Sequence, residues 1–188
     1  ATAAELNLID GGTSVGGSIT LADADGFVVN DDGTMKTIPA SDVKTYAGIS
    51  GDITLGTDEK LILDTTPSDD DGSGVVIKGT IASGVNAGET VYLKSNGEYA
   101  RADKNAESTM PAVGVALEAS GSNKKILVFG VIRNAGFSLT QGEEVYQSDN
   151  GFMTSTVPGS GDFLQRLGVA LDSTHVLFTP SLDVIEHA

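Results

Sequence analysis

Gly88-Glu89-Thr90-Val91-Tyr92, then Asn96-Gly97, then Gly114-Val115-Ala116-Leu117 returns 54 residues later. The second occurrence reads Gly142-Glu143-Glu144-Val145-Tyr146, Asn150-Gly151 and Gly168-Val169-Ala170-Leu171, with no gap between the first glycine and the last leucine. Each occurrence reads as the same chain of short β elements. A strand holds Val91-Tyr92-Leu93 or Val145-Tyr146-Gln147, and an Asn-Gly turn follows, a pair that tolerates the positive φ of a type I′ hairpin. A return strand holds Glu98-Tyr99-Ala100 or Phe152-Met153-Thr154, and a polar loop contains Pro111 or Pro158. The Gly-Val-Ala-Leu strand comes next, and a last apolar strand closes the unit, Ile126 to Phe129 or His175 to Phe178. The expected fold class is therefore all-β: a short N-terminal mixed segment, then two tandem small β-barrel or sandwich-like units related by internal duplication.

Outward from the repeat, four regions are expected. They are an N-terminal segment 1–48, short strands and an acidic linker 49–74, the first copy 75–134 and the second copy 135–188. In the first region Ala3 to Ile9 reads as a turn or two of helix stopped at Gly11-Gly12, and Ser18 to Leu21 as a strand. Phe27-Val28-Val29 and Thr34 to Ile38 flank the turn Asn30-Asp31-Asp32-Gly33, and Ser41 to Gly48 reads as a short helix with Ser41 as its cap. Residues 52–56 and 60–64 read as two further strands, and Thr65 to Gly74 as a polar linker.

Composition limits what such a chain does. It has 188 residues, 24 Gly, no Trp and 5% aromatic residues, which suits short strands around thin cores. A thin core buries little apolar area, at about 25 cal/mol per Å², so a homo-oligomer is expected. The net charge of −15 is uneven: residues 1–74 carry 14 acids against 3 lysines, and residues 75–188 carry 12 acids against 8 bases. That surface repels phosphates and anionic lipid, so no direct nucleic-acid binding is expected. No apolar run reaches the roughly 20 residues of a bilayer span, so no membrane insertion is expected either. Zero cysteines exclude disulfides and thiolate chemistry. The chain starts at Ala1 without a basic, apolar signal segment, so a processed product or a piece of a longer chain is expected.

A catalytic centre is not expected, nor a bound cofactor. His187 is penultimate and His175 sits in the last apolar strand, where a structural role is the simpler reading. Gly11-Gly12-Thr13-Ser14-Val15-Gly16-Gly17 lacks the lysine of a phosphate-binding loop and reads as a turn. Asp23-Ala24-Asp25-Gly26 and Asp69-Asp70-Asp71-Gly72 lack the spacing of a calcium loop and read as a hairpin turn and a solvated linker, with calcium between subunits left open. Paired carboxylates for glycoside hydrolysis need aromatic platforms, which 4 Tyr and 6 Phe spaced as core residues do not provide. Contacts are assigned instead to the two polar loops that diverge between the copies, Arg101 to Thr109 and Ser155 to Asp162. The candidate residues are Arg101, Asp103, Lys104 and Asn105 in the first, and Ser155, Ser160 and Asp162 in the second.

The stretch Thr2 to Gly11, Thr-Ala-Ala-Glu-Leu-Asn-Leu-Ile-Asp-Gly, resembles a phrase of bacteriophage tail-fibre and related virion structural proteins. Ala24 to Ala40, with Gly26-Phe27-Val28-Val29-Asn30 and Gly33-Thr34-Met35-Lys36-Thr37-Ile38-Pro39, is similar to wording common in virion proteins of phages, notably marine ones. Both phrases fall within the first quarter of the chain. The resemblance implies a non-enzymatic structural component of an extracellular virion, a trimer without covalent links. Its partners would be other virion proteins and a host surface receptor, and it carries no catalytic residues over. A tail fibre or appendage is the leading expectation and a capsid decoration (cement) protein the alternative. Behind these stand a bacterial surface filament or adhesin and a tail carbohydrate-active enzyme.

Overall fold

The computed structural model describes residues 20, 22–46, 57–58 and 60–188. The expected helix at 3–9, the Gly-rich turn 11–17 and the strand at 52–56 lie outside them, as does most of the strand at 18–21. The chain divides into two compact units, 1–60 and 61–188, so the division falls inside the segment read as strands and linker and both copies share one unit.

In the first unit, β1 (Gly26–Asp31) and β2 (Thr34–Pro39) pair antiparallel in the expected hairpin, with Asn30 opposite Met35. Asp32 and Gly33 both have positive φ, 49° and 82°, the mirror-image turn that matches strand twist. Asn30 Oδ1 accepts from the Gly33 N–H at 2.8 Å. Helix α1 (Ala40–Tyr46) follows Pro39 directly and starts one residue before the expected cap.

The second unit is nearly all β. Its strands are β3 (Gly72–Ile81), β4 (Thr90–Leu93), β5 (Glu98–Arg101), β6 (Gly114–Ala116), β7 (Gly121–Arg133), β8 (Glu144–Gln147), β9 (Met153–Thr154), β10 (Phe163–Leu164), β11 (Arg166–Ala170), β12 (His175–Phe178) and β13 (Ile185–Glu186). Two single 3-10 turns, Glu107–Thr109 and Asp149–Gly151, are its helical elements among the described residues. Nine strands form one mixed sheet in the order β3-β5-β4-β6-β7-β12-β11-β8-β9, and β10 pairs separately with β13.

In the first copy the pairings return to their start. β3 lies parallel to β5 at Thr80↔Glu98 and antiparallel to β7 from Gly72↔Ile132 to Ile81↔Gly121, so β3, β5, β4, β6 and β7 close a ring. Ile81, Val85, Val91, Ala116 and Ile126 fill a small core there, with Tyr99 and Val128 against it. The two copies, expected as tandem small barrel- or sandwich-like units, share one sheet, because the 13-residue β7 serves both: Ile126 and Leu127 pair with β6, while Gly130 to Arg133 pair with β12. Among the described residues no pairing closes the second copy.

β3 and β7 approach so closely that Gly74 faces Gly130, where an added Cβ would stand 2.0 Å from Phe129 O and 2.2 Å from Ser73 O respectively. The larger core is common to both copies. Ala102, Ala112, Val115 and Leu127 of the first pack with Phe137, Leu139, Val145, Met153, Leu167, Val176 and Phe178 of the second.

One expected strand is missing. Residues 60–64 are described but form no strand pairing with described residues; Asp64 N–H donates to Ser73 Oγ at 2.8 Å, and Leu61 and Ile62 are exposed. An apolar run supplies a strand only where another strand offers its edge.

Candidate functional site

The two diverging loops lie side by side. Lys104 Nζ donates to Asp162 Oδ2 at 2.6 Å and stands 3.5 Å from Asp149 Oδ1, with both Lys104 and Asp162 largely buried. Asp162 raises the Lys104 ammonium above the usual lysine range, and Lys104 holds the Asp162 carboxyl below the carboxylate range. Asp103 Oδ1 accepts from the Asn105 N–H and side-chain amide at 2.9 and 2.7 Å. Asp103 Oδ2 accepts from the Asn150 N–H at 3.0 Å, and Asn105 Nδ2 donates to Asp149 Oδ1 at 2.6 Å.

Backbone bonds complete the seam: Phe163 N–H to Lys104 O at 2.8 Å and Gly151 N–H to Ala102 O at 2.7 Å. The C-terminal tail joins it through Gly161 N–H to His187 O and His187 N–H to Asp162 O, at 2.7 and 2.8 Å.

This seam explains why the two Asn-Gly turns differ. In the first copy Gly97 N–H closes its own turn on Lys94 O at 2.9 Å, and only Gly97 has positive φ. In the second, the equivalent Gly151 N–H reaches across to Ala102, and both Asn150 and Gly151 have positive φ.

Arg101 is an internal strap. Its Nε donates to Glu89 Oε2 at 2.9 Å and its Nη2 to Glu89 Oε1 at 3.0 Å and to Gly84 O. Glu89 is buried and also accepts from the Asn86 N–H at 2.9 Å, so the charge is paired where leaving it alone would be costly. Ser155 Oγ accepts from the Thr140 N–H at 3.2 Å, and Ser160 is exposed. Of the seven candidates, Asp103, Lys104, Asn105 and Asp162 thus form one network, whereas Arg101 and Ser155 are tied elsewhere.

The acidic clusters are engaged with backbone. Asp69 Oδ1 accepts from Ala135 N–H at 2.5 Å, Asp71 Oδ1 from Gly72 N–H at 2.8 Å, and Asp25 Oδ2 from Ala22 N–H at 2.7 Å. Among the described residues no group of three or more His, Asp or Glu side chains is placed to hold a metal ion. His175 Nδ1 lies 2.8 Å from Asp172 Oδ2, and its Nε2 is buried without a hydrogen-bond partner.

Two further residues that join the copies went unread in the sequence. Gln147 and Gln165 are buried glutamines of the second copy, at the positions of Leu93 and Pro111 in the first. Gln147 Oε1 accepts from Thr90 Oγ1 at 2.7 Å. Gln165 Oε1 accepts from Ala112 N–H at 2.8 Å, while its Nε2 donates to Ala112 O at 2.8 Å and Ser181 O at 2.6 Å. It thereby satisfies both backbone groups of one buried residue, as a neighbouring strand would.

Burial at matching positions separates the two copies further. Thr90, Ala102, Ala112 and Val115 are fully buried beneath the second copy, while their counterparts Glu144, Thr156, Arg166 and Val169 are exposed. The second copy therefore presents openly the face that the first copy buries. Two shallow cavities of about 280 and 250 Å³ lie on it, both bordered by Glu144 and Tyr146. Tyr146 Oη donates to Glu144 Oε2 at 2.6 Å and Arg166 Nη1 to Glu144 Oε1 at 3.1 Å, holding the carboxyl below its usual range. Ser155 borders one cavity. The signal for this face was present in the sequence: Thr90 to Glu144, Ala102 to Thr156 and Ala112 to Arg166 each replace a small residue by a larger or charged one at constant spacing. No protein-family model matches the chain, and no curated protein matches it either.

Proposed function

We propose that this chain is a non-enzymatic structural component of a bacteriophage virion, part of a tail fibre or appendage, that assembles with copies of itself. The open face around Glu144, Tyr146 and Arg166 is its contact surface for a neighbouring virion protein or a host surface. The two copies act as related modules of one β platform, the first buried against the second and the second turned outward. The observation that carries the contact surface is the pairing of positions between copies: where Thr90, Ala112 and Val115 are sealed, Glu144, Arg166 and Val169 are open. The virion assignment is supported by the wording of Thr2 to Gly11 and Ala24 to Ala40, which resembles phage structural proteins. The shared core and the interlocked loops suit a rigid surface module.

Gold-conjugated antibody raised against the second copy and applied to particles purified from cells producing this chain tests the reading. Gold on tail appendages is expected. Gold over the head lattice transfers the chain to capsid decoration, and label found only on cell envelopes refutes a virion role.

A further inference from the structure

The first strand of the first copy has one edge without a partner among the described residues. From Val75 to Gly79, β3 pairs with β7 alone, and its pairing with β5 is confined to Thr80 and Ile81. Its apolar side chains are open: Val75 49%, Val76 39% and Ile77 36% exposed, with Phe129 opposite Val75 at 46%. An exposed apolar edge is a template for another strand.

The chain itself shows what the homologous edge accepts. Val76 and Ile77 pair with Leu127 and Ile126 of the first copy's last apolar strand, and Val131 and Ile132 pair with Leu177 and Val176 of the second copy's. Val131 and Ile132 therefore stand where Val76 and Ile77 stand, yet they are 3% and 0% exposed. One difference is a strand on the second edge: Gly72 and Ser73 of β3 lie antiparallel against Ile132 and Val131. The first copy thus exposes at β3 the apolar positions that the second covers with an added antiparallel strand.

Charge indicates which strand is added. Ser73 to Ile81 contains no carboxylate in a chain of net charge −15. Asp69-Asp70-Asp71 immediately precedes β3, and Lys78, with Lys125 and Lys124 opposite Lys78 and Gly79 on β7, marks its far end. A strand acidic at its start and basic at its end complements itself when antiparallel and repels itself when parallel.

The geometry points to β3 as a self-association edge. Gly72 to Gly79, paired with β7 alone, lies antiparallel against the same segment of a second copy of this chain about a two-fold axis near Val75–Val76. Lys78 of each chain then approaches the Asp71 end of the other, and the apolar side chains cover one another. Such an isologous contact is closed and gives an even number of chains. The inference rests on the self-assembly proposed above and names its surface.

The test is sedimentation of the full chain and three variants, Lys78→Glu, Lys78→Glu with Asp71→Lys, and Val75→Lys, each checked for an unchanged far-ultraviolet circular dichroism spectrum. Wild type is expected as a dimer or a higher even assembly. Lys78→Glu should raise the dissociation constant about tenfold, because two-fold symmetry counts each charge change twice. Val75→Lys should weaken the dimer as well, and the double variant should restore it. An assembly unchanged in Lys78→Glu and Val75→Lys, or a trimer, overturns the β3 edge while leaving self-assembly standing. A monodisperse wild-type monomer at micromolar concentration overturns both. Gold labelling of particles reports on the virion assignment separately.

Discussion

Replacing Gln165 by Met tests whether the two copies are held together by backbone-directed hydrogen bonds as well as by apolar packing. Methionine is close in volume and fills the site with little strain. It removes the acceptor for Ala112 N–H and the donor for Ala112 O, both at 2.8 Å, and the donor for Ser181 O at 2.6 Å. Ala112 is fully buried, so water does not replace the lost partners there, while Ser181 is half-buried and regains some hydration. An orphaned buried donor or acceptor costs about 1–3 kcal/mol, so two at Ala112, partly offset by the apolar gain of methionine, sum to roughly 2–4 kcal/mol. For a domain of this size that lowers Tm by about 10 °C.

Urea and thermal denaturation followed by circular dichroism read this directly, with Ser160→Ala, at an exposed site, as the control. The urea midpoint should fall with the slope unchanged, since the surface exposed on unfolding is the same. Gln165→Glu should be worse than Met at neutral pH, because it places an unpaired carboxylate against two carbonyl oxygens. A Met variant within about 0.5 kcal/mol of wild type would refute the reasoning, since typical surface substitutions fall in that range.

Two further outcomes are expected. Gly114→Val and Gly168→Val should both destabilise the fold, by about 1–3 kcal/mol or more. A Cβ at Gly114 would stand 2.5 Å from Ile126 Cγ2 and 2.9 Å from Leu127 O, and one at Gly168 would stand 2.0 Å from Leu177 O at a φ of 153°; a silent variant at either position in urea melts would sink the equivalence of the two strands. Asp172 is held far below its ordinary value of 3.8, first by the Thr174 N–H and then by the His175 ring. A depressed folded value means that its contribution is present above 3.8 and is lost as pH falls through the folded value, so Asp172→Asn should flatten the fall of Tm between about pH 4 and pH 2. A slope identical to wild type would show that the Asp172 carboxylate does not couple to folding.

How much was legible in the sequence depended on the range over which each choice is made. The hairpin at Asn30 to Gly33 was readable because positive φ at Asp32 and Gly33 is settled within four residues. The strands at Val91, Val145 and the two Gly-Val-Ala segments were readable from alternation and from their return after 54 residues. The candidate loops were legible as polar stretches that differ between the copies, yet their relation was hidden. Lys104 and Asp162 are 58 positions apart, and nothing in the spacing says that one neutralises the other. Residues 60–64 failed as a strand for the same reason, since an apolar run does not name the edge it pairs with.

Duplication makes the division plain. Because turns and alternation are local chemistry, the sequence carried the recurrence of the same β elements. It did not determine what each copy does. Val115 and Val169 are the same residue at the same point of the same motif, and one is sealed in the core while the other is open to solvent. That outcome was decided by the tertiary structure alone, because burial depends on what packs against a face. In the first copy that face lies beneath the second copy, whereas in the second copy no described residue covers it.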